Sequence, residues 1–329
     1  MSAAVFAAIA GQSVLLVERT EYVGGTTAWS AATTWVPGTA VGAAVASQPD
    51  SLANVTQFLD AAVGTASEHS LRAAFLAQGA SAIACLQAHS SVQYRARSLH
   101  PDYMTELAGS TLNGRAIEPV PFDGRKLGHA LSLIRPPLPE FTVLGGMMVD
   151  RDDIAALLGM RQSWSHLRRS LKIVLRHAVD TVCHPRSTRL VMGNALIGRL
   201  LHSLRERQTA ITTQTEVLGF EVQDGTIRAL KLSQHGVERR IQAGAVVLAS
   251  GGFNRHPALR AALLPQVPMD WCVGAPGHTG AALSLALAAG AQLGTCEPDS
   301  ERSHAFFAPV SLRRRADGTT AVFPHFLMD

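Results

Sequence analysis

Residues Ser13-Val14-Leu15-Leu16-Val17-Glu18-Arg19 lead, after four residues, into Gly24-Gly25-Thr26-Thr27-Ala28-Trp29-Ser30. Four apolar residues closed by an acid read as a buried strand of a parallel sheet, where both faces are covered. An acid at the end of such a strand can accept two hydroxyl hydrogen bonds from an adenosine ribose. The glycine fingerprint of dinucleotide-binding folds lies about 20 residues before that acid. Counting back from Glu18 places it at or before residue 1. The expectation is a domain whose first strand and fingerprint are missing, with an unpaired sheet edge or gap at residues 14–17.

Around this stretch the chain reads as globular. Its 329 residues are long enough to bury a large core and to form two domains. An apolar fraction of 47% and a charged fraction of 16% argue against disorder except at the ends. A formal charge of +4, with arginine pairs at Arg168-Arg169 and Arg239-Arg240, forms no basic stripe interleaved with aromatics. Nucleic acid is therefore not an expected partner. Cys85, Cys183, Cys272 and Cys296 are far apart, without CxxC or Cys/His ligand spacing, so no metal site is expected. Reduced thiols point to the cytoplasm. The apolar first seventeen residues lack a basic leading region, and Gln12 and Glu18 interrupt them. They read as a short helix at residues 3–10, a stop at Gly11 and the strand, with neither a signal peptide nor a membrane span.

Helical spacing recurs at residues 52–64, 71–89, 154–177, 193–207 and 281–289. Asp150-Arg151-Asp152-Asp153 is a helix start. Residues 94–139 are broken by proline and glycine into an irregular excursion. From Ile211 the period is that of a strand, and Asp224-Gly225 is a hairpin turn. Residues 245–253 read as a buried strand ending on Ala249, Ser250, Gly251 and Gly252. The tail at residues 323–329 has strand character.

Gly24 and Gly25 let backbone approach a ligand with no Cβ in the way. With the hydroxyls of Thr26, Thr27 and Ser30 they form either an anion-binding nest or a tight turn that binds nothing. Trp29 and Trp35 are core residues or, for Trp29, a stacking surface.

The Glu18 strand, the GGTTAWS loop and the Ala-Ser-Gly-Gly-Phe run at 249–253 together resemble the FAD-dependent fumarate reductase and succinate dehydrogenase flavoprotein family. Gly193-Asn194-Ala195-Leu196 and His278-Thr279-Gly280 fall in order between and after them. Within the family the closest branch is the 3-ketosteroid Δ1-dehydrogenases. It is marked by His100-Pro101-Asp102-Tyr103, Gly114-Arg115-Ala116-Ile117-Glu118-Pro119 and Pro121-Phe122-Asp123-Gly124-Arg125-Lys126-Leu127-Gly128.

The resemblance implies an α/β fold of the glutathione reductase type. A parallel sheet is flanked by helices and carries a β-hairpin insertion at 211–232. Residues 1–290 would be the FAD-binding domain and 291–329 the start of a substrate-capping domain, cut short. FAD would meet Glu18, Gly24, Gly25, Thr26, Thr27, Ser30, Val217, Ala249, Ser250, Gly251 and Gly252. Tyr103 falls where the branch carries an active-site tyrosine; the other reading is a half-buried loop tyrosine.

The implied activity is oxidation of a CH–CH bond beside a carbonyl in a small hydrophobic, steroid-like ketone, with an external electron acceptor. The alternatives are a non-catalytic fragment and a fumarate reductase-like 2-ene reductase. The family's Asn-Thr-Gly-Asp-Gly segment reads His278-Thr279-Gly280-Ala281-Ala282 here, and the family's returning substrate segment has no counterpart in residues 1–329. By itself the chain is expected to be inactive.

Overall fold

The computed structural model describes residues 1–65, 67–263, 268–269, 272–292, 310–314, 318 and 320–324. The chain divides into two compact units, Met1–Gly11 with Thr27–Gln208, and Gln12–Thr26 with Thr209–Asp329.

The first unit is built on the helix Met192–Glu206, whose Ala195, Leu200, Leu201 and Leu204 are buried. The N-terminal helix Ser2–Ile9 packs on it, with Val5 buried, and Gly11 follows in a left-handed conformation that ends the turn. Helix Leu52–Val63 starts at Ser51, whose hydroxyl accepts from Asn54 N, and stops at Gly64. Helix His69–His89 follows. A small antiparallel sheet places Ala116–Pro119 between Thr34–Trp35 and Tyr94–Ala96. The excursion thus holds short strands, and a 3-10 stretch Gly124–Leu133 kinked at Gly128.

The single helix expected at 154–177 is two, Arg151–Leu158 and Trp164–Cys183. Asp150 and Asp153 close a reciprocal capping box on the first, as the Asp-rich start implies. Gly159 ends that helix, and the Ser163 hydroxyl accepts from Ser165 N to restart the next. A local cap defeats the periodicity there.

In the second unit Leu15–Val17 pairs parallel with Ala210–Thr212, Leu16 opposite Ile211. The parallel α/β reading holds. The strand is less buried than its apolar run implies, with Leu15 41% exposed, because among the described residues it pairs on one side only. The hairpin is present as Thr215–Gln223 with Thr226–Gln234. Asp224 and Gly225 both have positive φ, the geometry of a two-residue turn that matches strand twist. A third strand, Val237–Gln242, extends it into a meander. Helix Ala281–Ala288 matches its expected span.

The strand expected at 245–253 is absent. Those residues carry no regular structure, and Val247 and Leu248 are 70% and 46% exposed. No described strand offers them a ladder, and without one an apolar run has no partner for its backbone groups. Strands Val310–Arg314 and Thr320–Pro324 pair antiparallel. Of the expected capping segment, residues 293–309, 315–317, 319 and 325–329 of the tail lie outside the described residues.

Candidate functional site

Glu18 follows its strand and is tied to the chain that returns beside it. Its N–H donates to Thr212 O (2.8 Å), and its carbonyl accepts from Thr215 N (3.0 Å). The carboxylate Oε1 accepts from both the N–H and the hydroxyl of Thr20, each at 2.8 Å. That local turn fixes the acid at the strand end. Arg19 bridges to Glu216 (3.1 Å) and hydrogen-bonds the Thr279 hydroxyl.

Gly24 (φ +108°) and Gly25 (φ +51°) are both left-handed, a conformation that glycine adopts without steric cost. Gly251 is left-handed as well (φ +79°). Thr26 Oγ1 accepts from Ala275 N (2.8 Å) and lies 3.3 Å from Nε2 and 3.4 Å from Nδ1 of His278. A Cβ built on Gly251 would lie 2.5 Å from His278 Nε2, and one on Gly25 3.6 Å from the same atom. Gly25, Thr26 and Gly251 therefore meet around one imidazole.

His278 was legible in sequence only as a departure from a motif; that it sits between the two glycine segments is a tertiary fact. Ala249, Ser250 and Gly252 are exposed on the segment that leads there and on. Val217 sits in the meander opposite Leu232, beside a register shift that precedes Gly219.

Thr27, Ser30 and Tyr103 belong to the first unit. The Ser30 hydroxyl donates to Thr27 O (2.9 Å) and accepts from Ala32 N (3.0 Å), so it serves its own loop. Gly193 donates to Ser30 O (2.9 Å), and a Cβ on Gly193 would overlap Thr27 O. Asn194, fully buried, donates to Ala28 O (2.7 Å) and accepts from Arg186 (2.6 Å). The start of the Met192–Glu206 helix thus holds the Thr27–Ser30 loop against its own backbone. The Trp29 indole donates to Pro136 O (2.7 Å). Trp35 stacks on Phe75 and donates to Asp102 (2.6 Å), which makes it a packing residue.

Tyr103 is 56% exposed. Its neighbour Asp102 is buried and accepts from Trp35, Thr111 N (2.9 Å) and Arg115 (2.8 Å). Arg115, 1% exposed, also makes a two-pronged pair with Asp50 (2.7 and 2.8 Å) and donates to Gly109 O (2.7 Å). The Asp-Tyr and Gly-Arg motifs are therefore two halves of one buried cluster that anchors the loop carrying Tyr103.

A cleft of about 480 Å³ lined by Arg95, Arg97, Arg151 and Asp152 also lies in the first unit. Its Arg95 and Arg97 are matched by Glu118 and Asp152. Among the described residues no helix is long and apolar enough to cross a membrane.

A family model described as FAD binding domain matches residues 1–328. A 4-oxocyclohex-2-ene-1-carboxylate 5-dehydrogenase from Sinomonas cyclohexanicum is 31% identical over 329 residues, covering 99% of this chain and 54% of that protein. A 3-oxosteroid 1-dehydrogenase from Mycolicibacterium smegmatis is 29% identical, covering 89% and 52%. A crystal structure of 3-ketosteroid delta1-dehydrogenase from Sterolibacterium denitrificans, in complex with 1,4-androstadiene-3,17-dione, matches with a TM-score of 0.83 at 24% identity. That match covers 97% of this chain and 57% of that one. The open conformation of a flavocytochrome c3 fumarate reductase matches at 0.51 and 16% identity, over 88% and 38%. The chain spans about half the length of the curated relatives it matches.

Proposed function

The chain belongs to the FAD binding domain family, and from that premise we propose that it is the cofactor-holding part of an oxidoreductase acting on a CH–CH bond of a ring ketone. The observation that carries this reading is the meeting of Gly25, Thr26 and Gly251 in the second unit. Segments more than two hundred residues apart converge there, each with a backbone that only glycine adopts readily. Such a surface fits a large anionic cofactor, because bare backbone N–H groups can reach phosphate oxygens.

In this reading Glu18 holds ribose hydroxyls. Gly24, Gly25, Thr26, Thr27 and Ser30 line pyrophosphate or flavin, and Val217, Ala249, Ser250, Gly251 and Gly252 complete the contacts. Residues 1–290 form the cofactor domain, and 291–329 open a substrate-capping segment. FAD, when bound, supplies a hydride acceptor, and the protein's part is binding and orientation. Tyr103 takes the proton from the carbon beside the carbonyl. An external electron acceptor would complete the turnover.

The names of the two relatives describe dehydrogenation of rings that carry a ketone. A small hydrophobic, steroid-like ring ketone is therefore the proposed substrate class. Incubating the purified chain with FAD, desalting it and recording the visible spectrum tests the reading. Retained flavin absorption is expected. A folded but colourless chain would overturn it.

A further inference from the structure

The imidazole of His278 lies against the two glycine segments assigned above to the cofactor. Its backbone is fixed on both sides, with His278 N donating to Ala275 O (3.1 Å) and His278 O accepting from Arg255 N (2.9 Å). Ala275, in the same turn, donates to the Thr26 hydroxyl. The ring nitrogens face that hydroxyl at 3.3 and 3.4 Å. On another side the ring meets the Cβ-free face of Gly251, where any side chain would collide with it. One side chain thus sets how closely the 24–26 segment and the 251 segment approach. It also explains, without any ligand, why residue 251 has no Cβ.

We propose that His278 is a positioning residue for FAD: its imidazole spaces the Gly251 backbone from the Gly25-Thr26 turn and so presents both to the cofactor. This rests on the cofactor reading of those segments. The residue acts through Thr26 and Gly251. An asparagine in its place, the residue expected from the family motif, keeps a polar group on the same fixed backbone.

The test is FAD affinity by flavin fluorescence titration, with circular dichroism melts run on every variant. His278→Ala is expected to weaken binding about tenfold, the loss of roughly one hydrogen bond and its packing, with a fall in melting temperature too small to unfold the chain at the assay temperature. His278→Asn is expected to restore most of the affinity. A double-mutant cycle isolates the mechanism, because the strain of a left-handed alanine is the same in both backgrounds and cancels. Gly251→Ala should cost about tenfold or more with His278 in place and only about threefold or less in the His278→Ala background.

Equal costs of Gly251→Ala in the two backgrounds would overturn the proposal, as would an unchanged or tighter affinity in a folded His278→Ala. Loss of affinity that only tracks a lower melting temperature in every variant would do the same. A wild-type chain that takes up no FAD would overturn the cofactor reading itself, an outcome distinct from wild-type binding that is indifferent to His278.

Discussion

Around Arg115 the first unit closes a guanidinium between Asp50 and Asp102, under Trp35 and Phe58. Around Gly251 the second unit carries a segment with neither ladder nor buried side chains, touched by one imidazole. Both regions carry motifs of the same family, yet they are built differently. In the first, polar residues of the motif are consumed by one another, so the motif marks a scaffold. In the second, the motif places two glycines, Gly251 and Gly252, on an exposed segment.

Four measurements test that contrast. The largest effect is expected from Arg115→Ala. It strands Asp50 and the buried Asp102 without their cation, which costs about 3–5 kcal/mol for a buried pair. Urea unfolding of the variant measures it, and a loss below about 1 kcal/mol would show that the cluster is no scaffold.

Next is Gly193→Ala, which forces a methyl into the Thr27 carbonyl and should cost about 1–3 kcal/mol through overpacking, although alanine favours helix. The same unfolding assay reads it, and a more stable variant would sink the claim that the helix start grips the Thr27–Ser30 loop.

A smaller effect is expected at acid pH. Hydrogen bonds from the Arg125 guanidinium and N–H pull the Asp123 carboxyl down to about 2, against the opposing effect of burial and with help from Arg176. A lowered carboxylate pKa adds stability that is complete above the ordinary value near 3.8 and fades as pH falls through about 2. Asp123→Asn should therefore be less stable than the wild type at about pH 5, and the difference should shrink toward about pH 2. A gap independent of pH would contradict the ion-pair origin.

The smallest effect belongs to Tyr103→Phe. An exposed phenol should change stability by no more than about 0.5 kcal/mol, and FAD affinity should stay as it is. A marked fall in either would place Tyr103 in the framework instead of at a substrate.

Elements whose cause is local were legible in the chain. The helix start at Asp150, the Asp224-Gly225 turn, the helix Ala281–Ala288 and the strand just before Glu18 each follow from neighbours in sequence. Where a local cap competes with an apolar period, as at Gly159 to Ser163, the cap wins and one expected helix becomes two. The run at 245–253 failed for the opposite reason. Its apolar residues specify a strand only if a neighbour offers hydrogen bonds, and that neighbour is not a property of the run.

The candidate site divides the same way. Glycine in the chain marks where backbone can lie bare and turn left-handed at no steric cost, because it lacks a Cβ. The sequence by itself also determined the acid at the strand end and the order of the motifs. Tertiary structure alone decided that Gly25, Thr26 and Gly251 share one imidazole, and that the Ser30 hydroxyl is held by its own loop. It alone decided that Asp102 and Arg115 belong to a buried pair. Those outcomes depend on contacts between distant segments, and a short-range pattern cannot encode how far apart two such segments come to rest.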